Sequence, residues 1–107
     1  MDNGEKKSLL FRLGLGRKAG KMLIGTDNVC DGVRDGRVRL ILIASDASQN
    51  TVKRATNCAK YYNTEFDILD GITTDELGRA ISKSSAACVG ITDENIVRLV
   101  RSRRENK

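Results

Sequence analysis

Leu40-Ile41-Leu42-Ile43-Ala44 is an unbroken apolar run, flanked on both sides by stretches that switch between helical and strand spacing. A continuous aliphatic run of this kind predicts a strand covered on both faces, hence a central one. Upstream, Leu9, Leu10, Leu13 and Leu15 give residues 5–17 one broad apolar helical face, with Gly14, Gly16 and Gly20 expected to loosen its end. Lys21 to Ile24 reads as a short strand stopped by Gly25. Thr26 is expected to cap a second helix that carries Val29 and Val33 on one side and ends at Asp35-Gly36.

Downstream of the central run, Ser45 to Asn50 is a polar turn rich in capping residues, followed by Val52, Ala55, Cys58 and Ala59 on one face of a third helix. Glu65 to Leu69 is a more alternating strand. Thr73 with Glu76 forms a capping box for a short fourth helix containing Leu77, Ala80 and Ile81. Ser82 to Ser85 is a loop, Ala86 to Ile91 a fourth strand, and Asp93 caps a last helix that turns Ile96, Val97 and Val100 inward. The order αβαβαβαβα places helices on both sides of a sheet. The expected fold is α/β: a three-layer α/β/α sandwich with a small four-stranded mixed, largely parallel sheet. Residues 1–107 are read as a single domain, with 1–5 and 104–107 as flexible ends.

Composition narrows the chemistry. The 107 residues contain no His, which excludes serine-triad, papain-like and His-ligated zinc chemistry. Cys30, Cys58 and Cys88 are widely spaced and odd in number, which points to reduced thiols in a cytoplasm, each read as a small buried hydrophobe. No apolar run approaches the ~18 residues that would cross a bilayer, so no membrane partner is expected. No metal or other cofactor is called for.

Charge is uneven. Residues 1–21 hold six bases against two acids, and residues 96–107 hold five against one, while the middle is net acidic. Basic charge gathered at both ends favours a polyanionic partner through phosphate neutralisation. The plain alternative for Arg101 to Lys107 is a solvated tail.

Gly14-Leu15-Gly16-Arg17-Lys18-Ala19 matches the glycine pattern of dinucleotide sites but closes a helix instead of opening one, so it carries no nucleotide role. Gly20-Lys21 ends like a phosphate loop, yet Met22 stands where a magnesium-binding hydroxyl would be needed. Asp75/Glu76 and Asp93/Glu94 occupy first turns of predicted helices, where carboxylates serve the dipole. Tyr61-Tyr62 reads as packing between a helix end and a strand.

Three polar features remain and are expected to converge: Lys21, the opening Gly25-Thr26-Asp27-Asn28, and the loop Ser82-Lys83-Ser84-Ser85. A helix N-terminus with a glycine that admits close approach suits a phosphate. Asp27 and Asn28 would then reach base edges, while Lys18 and Lys21 neutralise backbone phosphates. On these residues alone an ordinary capped helix is the competing reading.

Arg17-Lys18-Ala19-Gly20-Lys21, Gly25-Thr26, Ala44-Ser45-Asp46-Ala47-Ser48 with Asn50-Thr51, and Glu76-Leu77-Gly78-Arg79-Ala80-Ile81 together resemble the YlxQ-type bacterial ribosomal-like proteins. These form the bacterial branch of the kink-turn RNA-binding ribosomal protein superfamily, and the resemblance runs from about Leu9 to Val100. It implies an α/β/α fold, no catalytic activity and binding of structured RNA, with ribosomal RNA among the candidates. In that superfamily a Gly-Thr-Asn-Glu segment contacts the sheared G·A pairs of a kink-turn, and a later loop packs over the bulged nucleotides. Gly25, Thr26, Asp27 and Asn28 match the segment by position; Ser82 to Ala86 match the loop.

Three departures bear on the target. The amide and acid are exchanged in Asp27-Asn28, Asp31 stands where kink-turn binders place a lysine, and Ser82 replaces the loop glycine. Arg34 and Lys83 partly compensate for the lost cation. The expectation is a monomeric, non-enzymatic binder of structured RNA with the kink-turn as favoured target. The alternative is a protein-interaction adaptor of the ribosome or the transcription and translation machinery.

Overall fold

The structure, a computed structural model, describes residues 2–101. Arg103, Arg104, Lys107 and the expected flexible end at 104–107 lie outside the described residues. The elements are α1 (Asn3–Lys18), β1 (Met22–Ile24), α2 (Thr26–Arg34), β2 (Leu40–Ala44), α3 (Gln49–Tyr61), β3 (Glu65–Leu69), α4 (Thr74–Ala80), β4 (Cys88–Ile91) and α5 (Glu94–Arg101). α1 starts two residues earlier than its leucine spacing indicates, because Asp2 and Glu5 close a capping box around its first turn.

The sheet order is β1-β4-β2-β3. β1, β2 and β3 run the same way, joined by helical crossovers as the alternation of elements requires. β4 runs against them and lies between β1 and β2. Among the described residues the sheet is mixed as expected: three of its four strands share one direction, and β4, set between β1 and β2, makes both of its ladders antiparallel and leaves β2/β3 as the parallel pair. The reason lies after α4: the chain doubles back along that helix, with Ala86 N–H bonding the Thr74 carbonyl at 3.0 Å. It therefore enters β4 from the end where the other strands finish.

β2 is buried along its whole length because its faces meet different layers. Leu40, Leu42 and Ala44 pack with Leu9 and Leu13 of α1, Leu77 of α4, and Val97 and Val100 of α5. Ile41 and Ile43 pack with Val29 and Val33 of α2 and with Ala55 and Ala59 of α3. Complete burial of one such side chain contributes about 1.5–3 kcal/mol, so this strand anchors both layers. Arg101, counted in the sequence with the basic tail, ties α5 to the edge strand through Glu65 at 2.6 Å and Asp67 at 3.4 Å.

The glycines of α1 do not loosen it. A Cβ on Gly14 would sit 2.9 Å from the Ala80 carbonyl oxygen, and one on Gly16 would sit 2.9 Å from Ile96, so both permit close packing inside an intact helix. Of the thiols only Cys88 is buried, and burial pushes it up to about 12. Cys30 and Cys58 are half-buried between α2 and α3, with Cys30 pushed up to about 11 by burial and by the neighbouring Cys58. Tyr61 is 82 % exposed and meets Tyr62 edge-on, so it does not pack the core.

Among the described residues α1, α2, α3 and α4 end in one way: the residue after the cap is left-handed, at Gly20, Gly36, Asn63 and Ser82. In α4, Ser82 N–H bonds the Arg79 carbonyl at 3.2 Å and Lys83 N–H bonds that of Gly78 at 2.8 Å. Ser82 adopts φ 64°, where a Cβ costs about 1 kcal/mol. Ser82→Gly is therefore expected to raise the thermal midpoint by roughly 5 °C. A lower midpoint would show that the serine side chain, not its backbone, governs this turn.

Candidate functional site

The carboxyl ends of β1, β2 and β3 share one end of the sheet, and α2, α3 and α4 all begin there. Open α/β sheets bind ligands at such ends, where several helix N-termini come together. The loop out of α4 arrives at the same place: the Ala87 carbonyl accepts from Ala44 N–H at 2.9 Å and the Cys88 carbonyl accepts from Gly25 N–H at 3.0 Å. Asp46 accepts from Thr74 N–H at 2.7 Å, and Ser45 bonds the Ile72 carbonyl through both its N–H and its hydroxyl, so this end is stitched together.

Side chains close most of the helix starts. Asp2 caps α1, Ser48 caps α3 through Thr51 N–H, Thr73 caps α4 in the expected capping box, and Asp93 accepts from Asn95 N–H at 2.7 Å in α5. α2 differs. Its N-cap is Gly25, not Thr26, and among the described residues no side chain caps the first turn. Gly25 has φ 95° and ψ 145°, a conformation that an L side chain resists, and among the described residues no atom beyond its two chain neighbours lies within 4 Å of where its Cβ would be. The first turn of α2 thus keeps the donors and dipole that suit an anion, behind a residue that leaves room for one.

Asp27 and Asn28 stand in this turn, but each already has a partner. Arg54, from the second turn of α3, donates to the Asp27 carboxylate at 2.6 Å, and that carboxylate keeps Arg54 firmly charged. Asn28 Nδ2 donates to the Ile24 carbonyl at 2.9 Å, which commits one amide donor and leaves Oδ1 as an acceptor. Asp27, Asp31 and Arg34 follow at i, i+4 and i+7 along exposed α2, with Arg34 ion-paired to Asp31.

The other expected site residues separate. Lys21 lies at the opposite end of β1, where its carbonyl accepts from Thr92 N–H and its ammonium faces Asp93 at 3.9 Å. The three residues of β1 stand between it and Gly25. Lys18, in the last turn of α1, lines a groove with Arg79 and Ala80 of α4. Ser82 and Lys83 close the C-terminal end of α4, and Ser85 crosses that helix at Gly78 on the way to β4. Convergence at the α2 opening therefore extends to Gly25–Asn28 and the loop exit from Ser85, and not to Lys21 or Lys18.

Two residues that matter here escaped the pattern. Nothing in spacing marks Arg54, since its pairing depends on α2 and α3 lying side by side. Gly78 had a signal, a lone glycine inside a short helix, which often means close approach of another backbone.

The fold and this end of the sheet define a three-layer α/β/α domain that presents an uncapped helix opening beside a returning loop. The chain belongs to the ribosomal protein L7Ae/L30e/S12e/Gadd45 family, whose model matches residues 7–100. It is 35 % identical over 82 residues to an RNA-binding protein YlxQ of Bacillus subtilis (strain 168), covering 77 % of this chain and 80 % of that protein. It is 26 % identical over 98 residues to an RNA-binding protein YlxQ of Enterococcus faecium, covering 92 % of each. A solved protein of unknown function from Bacillus halodurans C superposes with a TM-score of 0.82 at 28 % identity, over 92 % of this chain and 97 % of that one. A Giardia lamblia 15.5kD RNA binding protein shares the fold, with a TM-score of 0.75 at 18 % identity over 98 % and 91 % of the two chains.

Proposed function

We propose that this protein binds structured RNA, without catalysis, through the α2 opening and the loop that leads into β4, and that the kink-turn is its favoured target. The observation that carries this reading is the first turn of α2: among the described residues it is the helix start that glycine opens and no side chain caps. The names of both relatives, RNA-binding protein YlxQ, point the same way. Helix N–H groups and Arg54 would hold phosphates, which positions the RNA, and Asn28 Oδ1 would accept from a base edge, which reads it.

The test is a titration into a kink-turn RNA and into a length-matched RNA whose tandem G·A pairs are replaced by Watson–Crick pairs, at two salt concentrations. Preference for the kink supports the full reading. Equal, salt-limited binding would retain the phosphate grip and remove the kink-turn, and no binding to either would remove the RNA reading. Arg54→Ala is expected to weaken both complexes alike and to lower the salt slope by roughly 0.7–0.9, the share of one neutralised phosphate. An unchanged slope would place Arg54 outside the interface. Asn28→Ala should instead cost more with the kink than with the control duplex.

A further inference from the structure

We propose that the groove between α1 and α4 is a second binding surface, and that it receives an acidic amphipathic helix of a partner protein. Lys7, Phe11, Leu15 and Lys18 fall at i, i+4, i+8 and i+11, a single stripe along α1. Leu9 and Leu13 of the same helix are fully buried, whereas Phe11 is 68 % and Leu15 39 % exposed. The sequence pattern merged Leu9, Leu10, Leu13 and Leu15 into one broad apolar face; the fold gives Leu9 and Leu13 to the core and leaves Leu15, with Phe11, on an outer stripe. Leu10, Phe11 and Leu15 line a groove of about 670 Å³ whose far wall is Arg79 and Ala80 of α4. The helices come close at Gly14, beside the Ala80 carbonyl.

Charge selects the occupant. Within the groove the ion pair among the described residues is Lys6 with Glu76 at 2.6 Å, and Lys6 with the Thr73 N–H holds the Glu76 carboxyl below the usual glutamate range. Lys7, Lys18 and Arg79 have no such partner among the described residues. An apolar floor under unpaired cations calls for apolar anchors flanked by carboxylates. A helix carrying anchors at i, i+4, i+7 and i+11 supplies both. α1 is 16 residues long, about 24 Å, so a partner helix of some four turns would lie along it. A second copy of this chain, at net charge +5, would be repelled, and nucleic acid offers no aliphatic anchors to match the leucines. The surface lies on the opposite sheet face from α2 and α3 and does not depend on the RNA reading.

The probe is an 18-residue peptide with Leu at i, i+4, i+7 and i+11 and Glu at its polar positions. It is compared with a version carrying Lys for Glu and with one of identical composition whose leucines are scattered round the helix. By NMR, the acidic amphipathic peptide should bind saturably, with shifts confined to α1 and α4. The scattered peptide should bind at least tenfold more weakly and the Lys peptide not at all. Phe11→Ser and Leu15→Ser alter exposed side chains; each should keep the thermal midpoint and lose about tenfold in peptide affinity, with RNA affinity unchanged. Equal binding of the acidic and scattered peptides, or binding of neither, overturns the proposal. So does a parallel loss of RNA affinity in Phe11→Ser and Leu15→Ser, which would make the groove part of a nucleic-acid surface.

Discussion

Gly78→Ala is expected to destabilise the protein by about 3 kcal/mol and to abolish tight RNA binding, although alanine is the better helix former. A Cβ at this position would lie 2.4 Å from Ser85 Cα, 2.6 Å from its N and 2.7 Å from its carbonyl carbon. All three are backbone atoms, so no side chain can swing aside and the loop itself must move. That loop is held by Ala86 to the Thr74 carbonyl and by Ala87 to Ala44, bonds that seat β4 in the sheet and place Cys88 against Gly25. Displacing it loosens the entry to a central strand and one wall of the proposed interface together. The thermal midpoint should fall by roughly 10–20 °C. Gly4→Ala is the control: it lies in the first turn of α1, its nearest atom would be Asp2 Oδ1 at 3.4 Å, and it should leave the midpoint unchanged or raise it. If Gly78→Ala also raises the midpoint, helix propensity has outweighed loop packing and the seating of Ser85 on α4 is wrong.

Asp31→Lys carries the second large effect, an increase in affinity for kink-turn RNA of about ten- to a hundredfold at low salt, equivalent to about 1.4–2.8 kcal/mol. Asp31 lies one turn beyond the α2 opening and holds Arg34 in an ion pair on the exposed face. The substitution removes a carboxylate that repels phosphate, adds a cation and releases Arg34, a local change of two charges. Little stability is at risk, because an exposed pair of this kind contributes under about 1 kcal/mol and Lys at 31 would pair favourably with Asp27 at i, i+4. The salt dependence should steepen by roughly 0.7–0.9 for each phosphate newly contacted. A selective gain for the kink-turn places α2 against the kink itself. An equal gain for the control duplex means phosphate contact without recognition, and no gain removes α2 from the RNA face.

Most elements were legible because their signals are local. Leu40 to Ala44 is a strand with those bounds, and Glu65 to Leu69 is another. The Thr73/Glu76 capping box closes α4 as its spacing requires, and Asp93 caps α5. Thr26 failed as a cap because Gly25, one residue earlier, takes a backbone geometry that ends β1 and opens α2 in a single step. The candidate site was only partly legible. Gly25 to Asn28 are neighbours in sequence and so share one helical turn, whereas Lys21, three residues before Ile24, was carried by its strand to the far end of the sheet. Arg54 reaches Asp27 across 27 positions, a distance over which periodicity carries no information.

The sequence by itself determined which segments are helices and strands, that the central strand is covered on both faces, and that helices lie on both sides of the sheet. Hydrophobic period and capping act within a few residues, so they are written along the chain. Only the tertiary structure decided the direction and place of β4, the close passage of Ser85 over Gly78, the pairing of Arg54 with Asp27, and the division of the leucine-rich face of α1 into core and groove. Each of these depends on which surfaces meet after the chain turns back on itself, and that is set by the packing of the whole domain rather than by the pattern of any one segment.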